Sequence, residues 1–450
     1  MSHLIVGMGV TGRAVASALA KRGHDVVMAD DRPRRLDGPE FEHACVHDST
    51  DRDVLASLVA DACVVVPSPG VPPRHLAYTL ADAAGVPIVS ELDLAAEWDS
   101  RPCAAVTGTN GKTTVTALVE SMLNRSGISA VGAGNTDIAL VEAIDRPVDA
   151  FVVEASSFRL HRARTFAPAV AVWLNLAPDH LDWHADVDDY AASKARIWAA
   201  QEPDDCAVAP YGDDAVGKFA ATAPARLVTF APAQWLNAPA DVRVENGMLT
   251  AYRTPLVAAA ELPRHRPHDL SNASAAAAVA IEMGASLDHV VAELCAFDGL
   301  PHRLALAGSI GDVVFYDDSK ATAPHATVAA AAGFGDAVLI AGGRNKGLDL
   351  GDLAQAAPHL RAVVAIGESA PEVTACFQHA GAGRIELAEA GSMAEAVALA
   401  YDIARPAGDV LLSPGCASFD WYSSYHERGQ SFISAVSDLA IQLGAGGQER

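Results

Sequence analysis

Val106-Thr-Gly-Thr-Asn-Gly-Lys-Thr-Thr-Val-Thr116 follows a short apolar run and leads into apolar residues at helical spacing. The pattern predicts a buried strand, a glycine-rich turn and a helix. Such a turn points backbone N–H groups into a concavity, and the helix N-terminus adds partial positive charge. Lys112 can neutralise β- and γ-phosphates, and the Thr113 hydroxyl can bind Mg²⁺. The alternative is an ordinary strand-to-helix turn, but this order of elements favours an ATP site.

Composition limits the classes of protein that fit the chain. Its 450 residues suffice for about three domains. A formal net charge of -24 argues against non-specific binding to nucleic acid or to anionic membranes. The seven cysteines include no Cys-x-x-Cys pair, which argues against a disulfide framework or a zinc site and favours a reducing compartment. No apolar run reaches the length of a membrane span, so we expect a cytoplasmic protein.

The N-terminal region carries a second glycine-rich motif. Gly7-Met-Gly9-Val-Thr-Gly12 lies between a predicted strand and a predicted helix, and Asp30 follows at the end of the next strand. This arrangement is typical of a dinucleotide-binding βαβ unit. Two interpretations remain, a redox domain that binds a nicotinamide cofactor and a nucleotide-binding domain without redox chemistry. The separate ATP loop downstream favours the second, because a fold alone does not determine function.

Several polar residues follow predicted strands, at the edge where ligands of parallel sheets bind. Glu154 directly follows an apolar run, as a Mg²⁺ ligand of a P-loop enzyme should, although a solvated loop carboxylate is the alternative. Asp179 and His180 could hold a further metal, but a histidine in a loop is usually not a ligand. From its position alone, Lys194 is interpreted as a surface lysine of an amphipathic helix. Asp318-Ser-Lys320 places opposite charges at one strand end.

We therefore predict an α/β protein with three domains. Residues 1–92 form a Rossmann-like domain, residues 93–297 a central P-loop ATPase-type domain, and residues 298–450 a second Rossmann-like α/β domain. Residues 91–102 are interpreted as the linker between the first two domains.

A set of motifs in a fixed order carries a resemblance to a known family. The motifs are Gly108-Thr-Asn-Gly-Lys-Thr113, Glu154-x-Ser-Ser-Phe-x-Leu160, Asn175…Asp179-His-Leu-Asp182, Lys194, Gly299-Leu-Pro-His-Arg303, Asp318-Ser-Lys-Ala-Thr322 and Ser413-Pro…Ser418. Over essentially its whole length the chain resembles the Mur ligases, and in particular their D-glutamate-adding branch.

The resemblance implies an ATP-dependent amide ligase of peptidoglycan precursor synthesis. Its substrates would be UDP-N-acetylmuramoyl-L-alanine and D-glutamate, joined through an acyl phosphate. Two Mg²⁺ ions and a carbamylated Lys194 are implied, since a carbamate gives a lysine the oxygen ligands that Mg²⁺ prefers. We expect a monomer that contacts neither nucleic acid nor membrane. Another Mur-family ligase, or a folylpolyglutamate synthase-like ligase with a different acceptor, is the nearest alternative.

The resemblance also assigns residues to each ligand. The catalytic set is Lys112, Glu154, His180 and Lys194. The metal ligands are Thr113, Glu154, His180 and the carbamate of Lys194. ATP would contact Gly108, Thr109, Asn110, Gly111, Lys112, Thr113, Thr114, Asn272, Arg303 and Asp318. The UDP substrate would contact Val10, Thr11, Asp30, Arg32, Ser68, Gly70, Asn135 and Ser156. D-Glutamate would contact Lys320, Thr322, Lys346, Ser418, Phe419 and Tyr425.

Three positions depart from the family pattern. Asp269 stands where these ligases often have Asn, Phe419 replaces a Leu and Tyr425 replaces a Phe. Two other functional classes remain possible: an NAD-linked dehydrogenase would leave Lys112 and Lys194 without a role, and a non-catalytic nucleotide-binding module would not need Glu154 and His180. ADP release without a change in nicotinamide absorbance would distinguish a ligase from the dehydrogenase.

Overall fold

The computed structural model describes residues 2–33, 45–136, 138–181, 183–380 and 384–444. They form two compact units, Met1–His265 with Asp269–Phe297 and Arg266–His268 with Asp298–Arg450. Among these residues, no helix combines the length and the apolar character needed to cross a membrane.

The N-terminal part of the first unit is a four-stranded parallel sheet in the order β3-β2-β1-β4. Its strands are β1 (Ser2–Val6), β2 (Val26–Asp30), β3 (Val46–Asp48) and β4 (Ala62–Pro67), and its helices are α1 (Val10–Lys21), α2 (Arg52–Asp61) and α3 (Leu76–Ala84). The apolar side chains of β1 are fully buried between these helices. The glycine-rich turn after β1 therefore lies at the carboxyl edge of the sheet, as predicted.

The predicted linker at residues 91–102 is mostly a helix, α4 (Glu91–Trp98). Ser90 caps its N-terminus, and Leu92 on the helix is fully buried. The Asp93 carboxylate accepts backbone N–H groups from residues 164–166 at 2.9–3.1 Å. The predicted linker is thus a helix whose carboxylates are buried against hydrogen-bond donors, and its role as a linker stays a prediction. The domain boundaries at residues 92 and 297 stay predictions.

The rest of the first unit is built on a nine-stranded sheet in the order β13-β12-β11-β10-β9-β8-β5-β7-β6. Its strands are β5 (Cys103–Thr107), β6 (Ala130–Gly134), β7 (Ala150–Glu154), β8 (Val170–Trp173), β9 (Cys206–Pro210), β10 (Arg226–Phe230), β11 (Val242–Glu245), β12 (Met248–Ala251) and β13 (Thr254–Ala258). Its helices are α5 (Lys112–Arg125), α6 (Leu140–Ala143), α7 (Ser157–Leu160), α8 (Val187–Ala199), α9 (Asp214–Ala220), α10 (Pro267–Glu282) and α11 (Leu287–Ala296), with 3-10 turns at Ala233–Trp235 and Ala259–Glu261.

Strand β5 pairs in parallel with β7 on one side and with β8 on the other. The carboxyl ends of these three strands therefore lie side by side. The glycine-rich loop follows β5, Glu154 ends β7, and Asn175 follows β8. This topology explains why residues far apart in sequence meet at one edge.

The second unit contains a six-stranded sheet in the order β14-β15-β19-β16-β17-β18, antiparallel only between β14 and β15. Its strands are β14 (Ala305–Ile310), β15 (Asp312–Asp317), β16 (Ala337–Gly342), β17 (Leu360–Ile366), β18 (Glu386–Ala390) and β19 (Ala407–Leu412). Its helices are α12 (Pro324–Ala331), α13 (Ala370–Ala380), α14 (Met393–Ala404) and α15 (Tyr425–Gln442), with a 3-10 helix at Leu350–His359. The predicted α/β fold class with three sheet domains is confirmed.

Candidate active site

The loop between β5 and α5 has the backbone that phosphate binding requires. Gly108 and Gly111 adopt φ values of 152° and 85°, which side-chain-bearing residues rarely adopt. A Cβ atom on Gly111 would lie 2.6 Å from Oδ1 of Asn272, so the position also has no room for one. Helix α5 begins at Lys112 without a side-chain cap. Its N-terminus therefore presents a dipole and backbone donors to an anion.

Asn175 holds this loop in place from the neighbouring strand end. Its Oδ1 accepts the backbone N–H groups of Thr109 at 3.1 Å and Asn110 at 2.9 Å, and its Nδ2 donates to the Asn110 carbonyl at 3.2 Å. The Thr109 hydroxyl donates to the carbonyl of Ala177 at 3.1 Å. Asn175 belongs to a sequence motif, but its role as a clamp depends on the pairing of β5 with β8, which the motif does not reveal.

Both candidate lysines point at the same loop. Lys112 Nζ donates to the carbonyls of Gly108 and Thr109, both at 2.9 Å. Lys194 Nζ donates to the Gly108 carbonyl at 2.8 Å and lies 4.4 Å from the ring centre of Tyr190. Lys194 is only 1 % exposed. The expectation of a surface lysine from position alone was therefore wrong, because the helical face that carries Lys194 is buried beneath the loop.

Burial lowers the pKa of Lys194 well below its usual value, and the ammonium group of Lys112 adds to this effect. The carboxylates of Asp179 and Glu154 act in the opposite direction. Burial prevails because taking an ammonium group out of water is costly. The lowered pKa of Lys194 favours the uncharged amine, which is the form that reacts as a nucleophile.

Glu154 is a buried carboxylate with one unused oxygen. Its Oε1 accepts from Nδ2 of Asn135 at 2.9 Å, whereas its Oε2 has no hydrogen-bond partner among the described residues. The side chain is only 2 % exposed. Burying an unpaired carboxylate oxygen is costly. A Mg²⁺ ion would satisfy this oxygen, so the donor set fits the predicted metal role.

His180 lies in the loop after β8, with a φ of 55°. Its ring centre is 4.7 Å from that of Phe158 and 6.2 Å from that of Tyr190, the residue whose ring also contacts Lys194. Asp179 Oδ1 accepts the His180 backbone N–H at 2.8 Å. His180 and Lys194 therefore flank the same tyrosine. Asp182 of this motif is outside the described residues.

Thr114 and Asn272 line a small cavity beside α5, together with Asp269. Asp269, one of the departures from the family pattern, accepts a hydrogen bond from Nε of Arg264 at 2.9 Å. The carboxylate is 9 % exposed, so this ion pair offsets its burial. The negative charge that Asp brings to this position is therefore paired with the guanidinium group of Arg264.

A cavity of about 350 Å³ lies at the carboxyl edge of the N-terminal sheet. The residues predicted for the UDP substrate that line it are Val10, Thr11, Asp30, Ser68, Gly70 and Asn135. Arg32 is exposed and is not among its lining residues, and Ser156 instead caps helix α7. Asp30 accepts the backbone N–H groups of Met8 at 2.6 Å and of Arg32 at 2.8 Å. The carboxylate of Asp30 thus also fixes the glycine-rich turn.

Arg159 lines the same cavity and was missed by sequence reasoning. Its Nη1 donates to Glu91 at 2.7 Å and its Nη2 donates to Thr11 at 2.9 Å. The residue is 7 % exposed, and its Nε has no partner among the described residues. The charge of this guanidinium group is paired with Glu91, and its Nε–H remains as a donor at the cavity wall. Its place inside the Glu154-x-Ser-Ser-Phe-x-Leu160 motif was the available signal.

In the second unit, three parallel strand ends bring the predicted acceptor residues to one edge. Lys320 and Thr322 follow β15, Ser418 follows β19, and Lys346 follows β16. Strand β19 lies between the other two strands. Backbone hydrogen bonds of 2.8 and 3.0 Å between Arg344 and residue 417 join the loops that carry Lys346 and Ser418.

The side chains of this edge differ in exposure. Lys320 Nζ lies 3.8 Å from the ring centre of Tyr425, so the Phe-to-Tyr departure keeps an aromatic face for the ammonium group. Ser418 is 2 % exposed, whereas Phe419 is 58 % exposed and Lys346 is exposed. Phe419 therefore does not contribute a buried apolar wall within this unit.

Asp318 is a buried carboxyl group at the end of β15. It accepts the Ser413 hydroxyl at 2.8 Å and the Leu304 backbone N–H at 3.3 Å. Burial raises its pKa to about 7, although these hydrogen bonds and the charge of Arg303 oppose the shift. The predicted ATP contacts Arg303 and Asp318 thus lie in the second unit, while Lys112, Glu154, His180 and Lys194 lie in the first.

Arg428, on α15, is a buried guanidinium group whose hydrogen bonds go to neutral groups. It is 1 % exposed and donates to the Ser319 hydroxyl at 3.0 Å, the Ser319 carbonyl at 2.9 Å and the Cys416 carbonyl at 3.0 Å. Burial lowers its pKa to about 10, which leaves it charged at neutral pH. These bonds fix residues next to Lys320 and Ser418.

Three family models match successive parts of the chain: a Mur ligase MurD-like N-terminal domain at residues 1–90, a Mur ligase middle domain at residues 106–280, and a Mur ligase glutamate ligase domain at residues 302–416. Two curated proteins named UDP-N-acetylmuramoylalanine--D-glutamate ligase are similar over almost their whole length. The protein from Pelotomaculum thermopropionicum is 37 % identical, with 97 % of each chain covered. The protein from Frankia casuarinae is 40 % identical, with 96 % of this chain and 93 % of that protein covered.

Solved structures show the same fold at lower identity. The MurC ligase of Thermotoga maritima gives a TM-score of 0.59 at 18 % identity, with 98 % of this chain and all of that chain covered. The MurF ligase of the same organism, solved in complex with ADP, gives a TM-score of 0.60 at 17 % identity, with 97 % and 95 % covered. On the full-length similarity to the curated proteins, the chain belongs to the Mur ligase family, among the UDP-N-acetylmuramoylalanine–D-glutamate ligases.

Proposed function

We propose that this protein uses ATP to join D-glutamate to UDP-N-acetylmuramoyl-L-alanine. The observation that carries the proposal is the similarity to D-glutamate ligases over almost the whole chain, combined with a glycine-rich loop built for phosphate. The loop donors, the helix N-terminus and Lys112 suit the phosphates of ATP.

The chemistry follows from the charges. A carboxylate oxygen of the UDP substrate attacks the γ-phosphorus of ATP, ADP leaves, and an acyl phosphate forms. The amine of D-glutamate then attacks the acyl carbon, phosphate leaves, and the nitrogen loses a proton to give the amide. Lys112 and the open end of α5 stabilise negative charge on the transferring group. No nucleophilic side chain is required.

Thr113, Glu154 and His180 would hold Mg²⁺, which when bound neutralises phosphate charge. The unpartnered Oε2 of Glu154 supports this role. We further propose that Lys194 acts as its carbamate. An uncharged amine is the form that adds carbon dioxide, and burial shifts Lys194 toward that form. The position of Lys194 beneath the loop and beside Tyr190 favours a role next to the metal.

The cavity of the N-terminal sheet would hold the UDP part of the substrate. Backbone donors of the glycine-rich turn suit its diphosphate, and Asn135 links the cavity to the catalytic edge through its hydrogen bond with Glu154. Arg159 adds at the same wall an Nε–H donor that has no partner among the described residues. This combination favours a nucleotide-linked substrate over a redox cofactor.

The edge formed by β15, β19 and β16 would hold D-glutamate. Lys320 and Lys346 can pair with two separate carboxylates, and Ser418 and Thr322 add hydroxyl donors. We further propose that the protein acts as a monomer. The use of ATP and a UDP-linked substrate fits a cytoplasmic location.

An acceptor panel tests the proposal. Phosphate release with ATP and UDP-N-acetylmuramoyl-L-alanine should be fastest with D-glutamate and slow with L-glutamate, L-lysine or meso-diaminopimelate. A clear preference for another acceptor would favour a ligase of different specificity. Lys346→Ala should raise the KM for D-glutamate far more than the KM for ATP, because a paired carboxylate would lose its charge partner. Lys218→Ala, at an exposed lysine of α9, is the matched control.

A further inference from the structure

Two histidines and an aspartate form a compact cluster that the proposed reaction does not use. One ring nitrogen of each of His161 and His184 and a carboxylate oxygen of Asp189 all lie within 4.8 Å of one another. We propose that these three side chains form a binding site for a transition-metal ion such as Zn²⁺. Two imidazoles and one carboxylate are a common protein ligand set for zinc, with a further position left for water.

The hydrogen bonds around the cluster orient both histidines for this role. Ser193 Oγ lies 3.0 Å from Nδ1 of His161, and Ser157 Oγ lies 3.0 Å from Nε2 of His184. Each ring thus has a hydroxyl partner on one nitrogen, and a metal would bind through the second nitrogen, in place of the hydrogen bond that His184 makes there with Asp189. For His184 this second nitrogen, Nδ1, already lies 2.9 Å from Asp189. Metal-binding histidines typically have such a partner on the other nitrogen.

Burial and the type of ligand atoms favour a transition metal over Mg²⁺. Burial lowers the pKa of His161 to about 4, so the ring is neutral at pH 7, as a ligand must be. The positive charges of Arg162 and Arg196 also lower the pKa of this ring. Asp189 is the single anion of the cluster. Mg²⁺ prefers oxygen ligands, whereas Zn²⁺ binds imidazole well. The His184 side chain is fully buried, and Asp189, 32 % exposed, provides the route from solvent.

An ion here would connect two elements near the proposed catalytic residues. His161 directly follows α7, while Asp189 and Ser193 lie on α8, the helix that carries Lys194. A bound ion would therefore join α7 to α8. Because a ligand that binds only the folded chain stabilises it, occupancy should raise the melting temperature.

Zinc binding to the full-length chain tests the site without any substrate, so its result is independent of the proposed ligase reaction. Calorimetric titration is performed with excess Mg²⁺ to occupy magnesium sites. We expect His161→Gln to weaken the binding of one Zn²⁺ by at least about tenfold and to remove its thermal stabilisation. His289→Gln, at an exposed histidine, is the matched control. All these proteins keep the exposed thiols of Cys45 and Cys295, so zinc bound there cancels in the comparison.

A second pair of variants keeps the test decisive if His161→Gln folds poorly. Asp189→Asn removes a partly exposed ligand, and Ser193→Ala removes only the hydroxyl partner of His161. We expect both to weaken zinc binding, the serine variant by about 10- to 100-fold. Unchanged zinc affinity in the variants, or no zinc binding by the unmodified chain, would overturn the proposal and leave the cluster as a hydrogen-bonded network.

Discussion

Replacing Asn175 by alanine should selectively impair the use of ATP. The substitution removes the bond that the Asn110 N–H donates to Oδ1 and the bond that Nδ2 donates to the Asn110 carbonyl. The Thr109 N–H keeps a second acceptor, the backbone carbonyl of residue 175 at 3.1 Å. Two lost bonds at about 0.5–1.5 kcal/mol each amount to about 1–3 kcal/mol. If that energy orders the loop for phosphate, kcat/KM for ATP falls by about 5- to 150-fold.

Asn124, on the helix α5 that follows the loop, provides a matched control. Its side chain also makes two hydrogen bonds to backbone, donating to the Ala130 carbonyl at 3.0 Å and accepting the Ala130 N–H at 2.9 Å. Asn124→Ala should therefore cost similar stability at the far end of α5. The assay is steady-state phosphate release at varied ATP, with thermal unfolding of both variants in parallel.

The two variants separate positioning of the loop from general stability. We expect comparable losses of melting temperature and a selective loss of kcat/KM for ATP in Asn175→Ala. Equal kcat/KM values for the two variants would refute the reasoning, because the loop would then be ordered without the Asn175 clamp.

Three other predictions follow from buried charged groups. Lys194→Ala should lose most activity and regain part of it with added short-chain carboxylic acids, and full activity without them would contradict a carbamate role. Arg428→Gln should raise the KM for D-glutamate with a much smaller effect on the KM for ATP, since its bonds fix the acceptor edge; a matched Arg405→Gln variant, at an exposed arginine, should change neither constant. Burial raises the pKa of Asp318 from 3.8 to about 7, so the folded chain keeps a proton that the unfolded chain releases near pH 4. The resulting stability, about 4 kcal/mol, should be complete below about pH 4 and lost as the pH rises to about 7. Denaturant titrations between about pH 4 and pH 7 should show that the free energy of unfolding falls with rising pH in the unmodified chain and falls less steeply in Asp318→Asn. Equal pH dependence in the two proteins would contradict this assignment to Asp318.

The parts of the site that depend on local sequence could be predicted. The positive φ values of Gly108 and Gly111 and the start of α5 at Lys112 are consequences of a short stretch whose residues act on one another. The same holds for the polar residues at strand ends, because strand and loop are adjacent in sequence. The turn between β11 and β12 is local in the same way, because Asn246 and Gly247 adopt the positive φ values of 51° and 77° that an Asn-Gly pair favours.

The parts of the site that depend on long-range pairing could not be predicted from the sequence. Asn175 reaches the glycine-rich loop only because β8 pairs with β5, and Arg159 reaches the N-terminal cavity through Thr11, 148 residues away. Lys194 appeared to be a surface residue because helical periodicity does not reveal which neighbour covers a face. The burial of the α4 carboxylates was not evident from the sequence for the same reason. Sheet order, which sequence does not state, decides these contacts.

The transfer of oxygen from substrate to phosphate tests the central claim most directly. The full-length chain is incubated with ATP, D-glutamate and UDP-N-acetylmuramoyl-L-alanine labelled with oxygen-18 in its carboxylate, and products are analysed by mass spectrometry. An acyl-phosphate ligase attaches one D-glutamate and transfers one labelled oxygen to the released phosphate, and Lys112→Ala should do neither. Phosphate without label, or label transfer that requires a different amino acid, would contradict the proposed reaction.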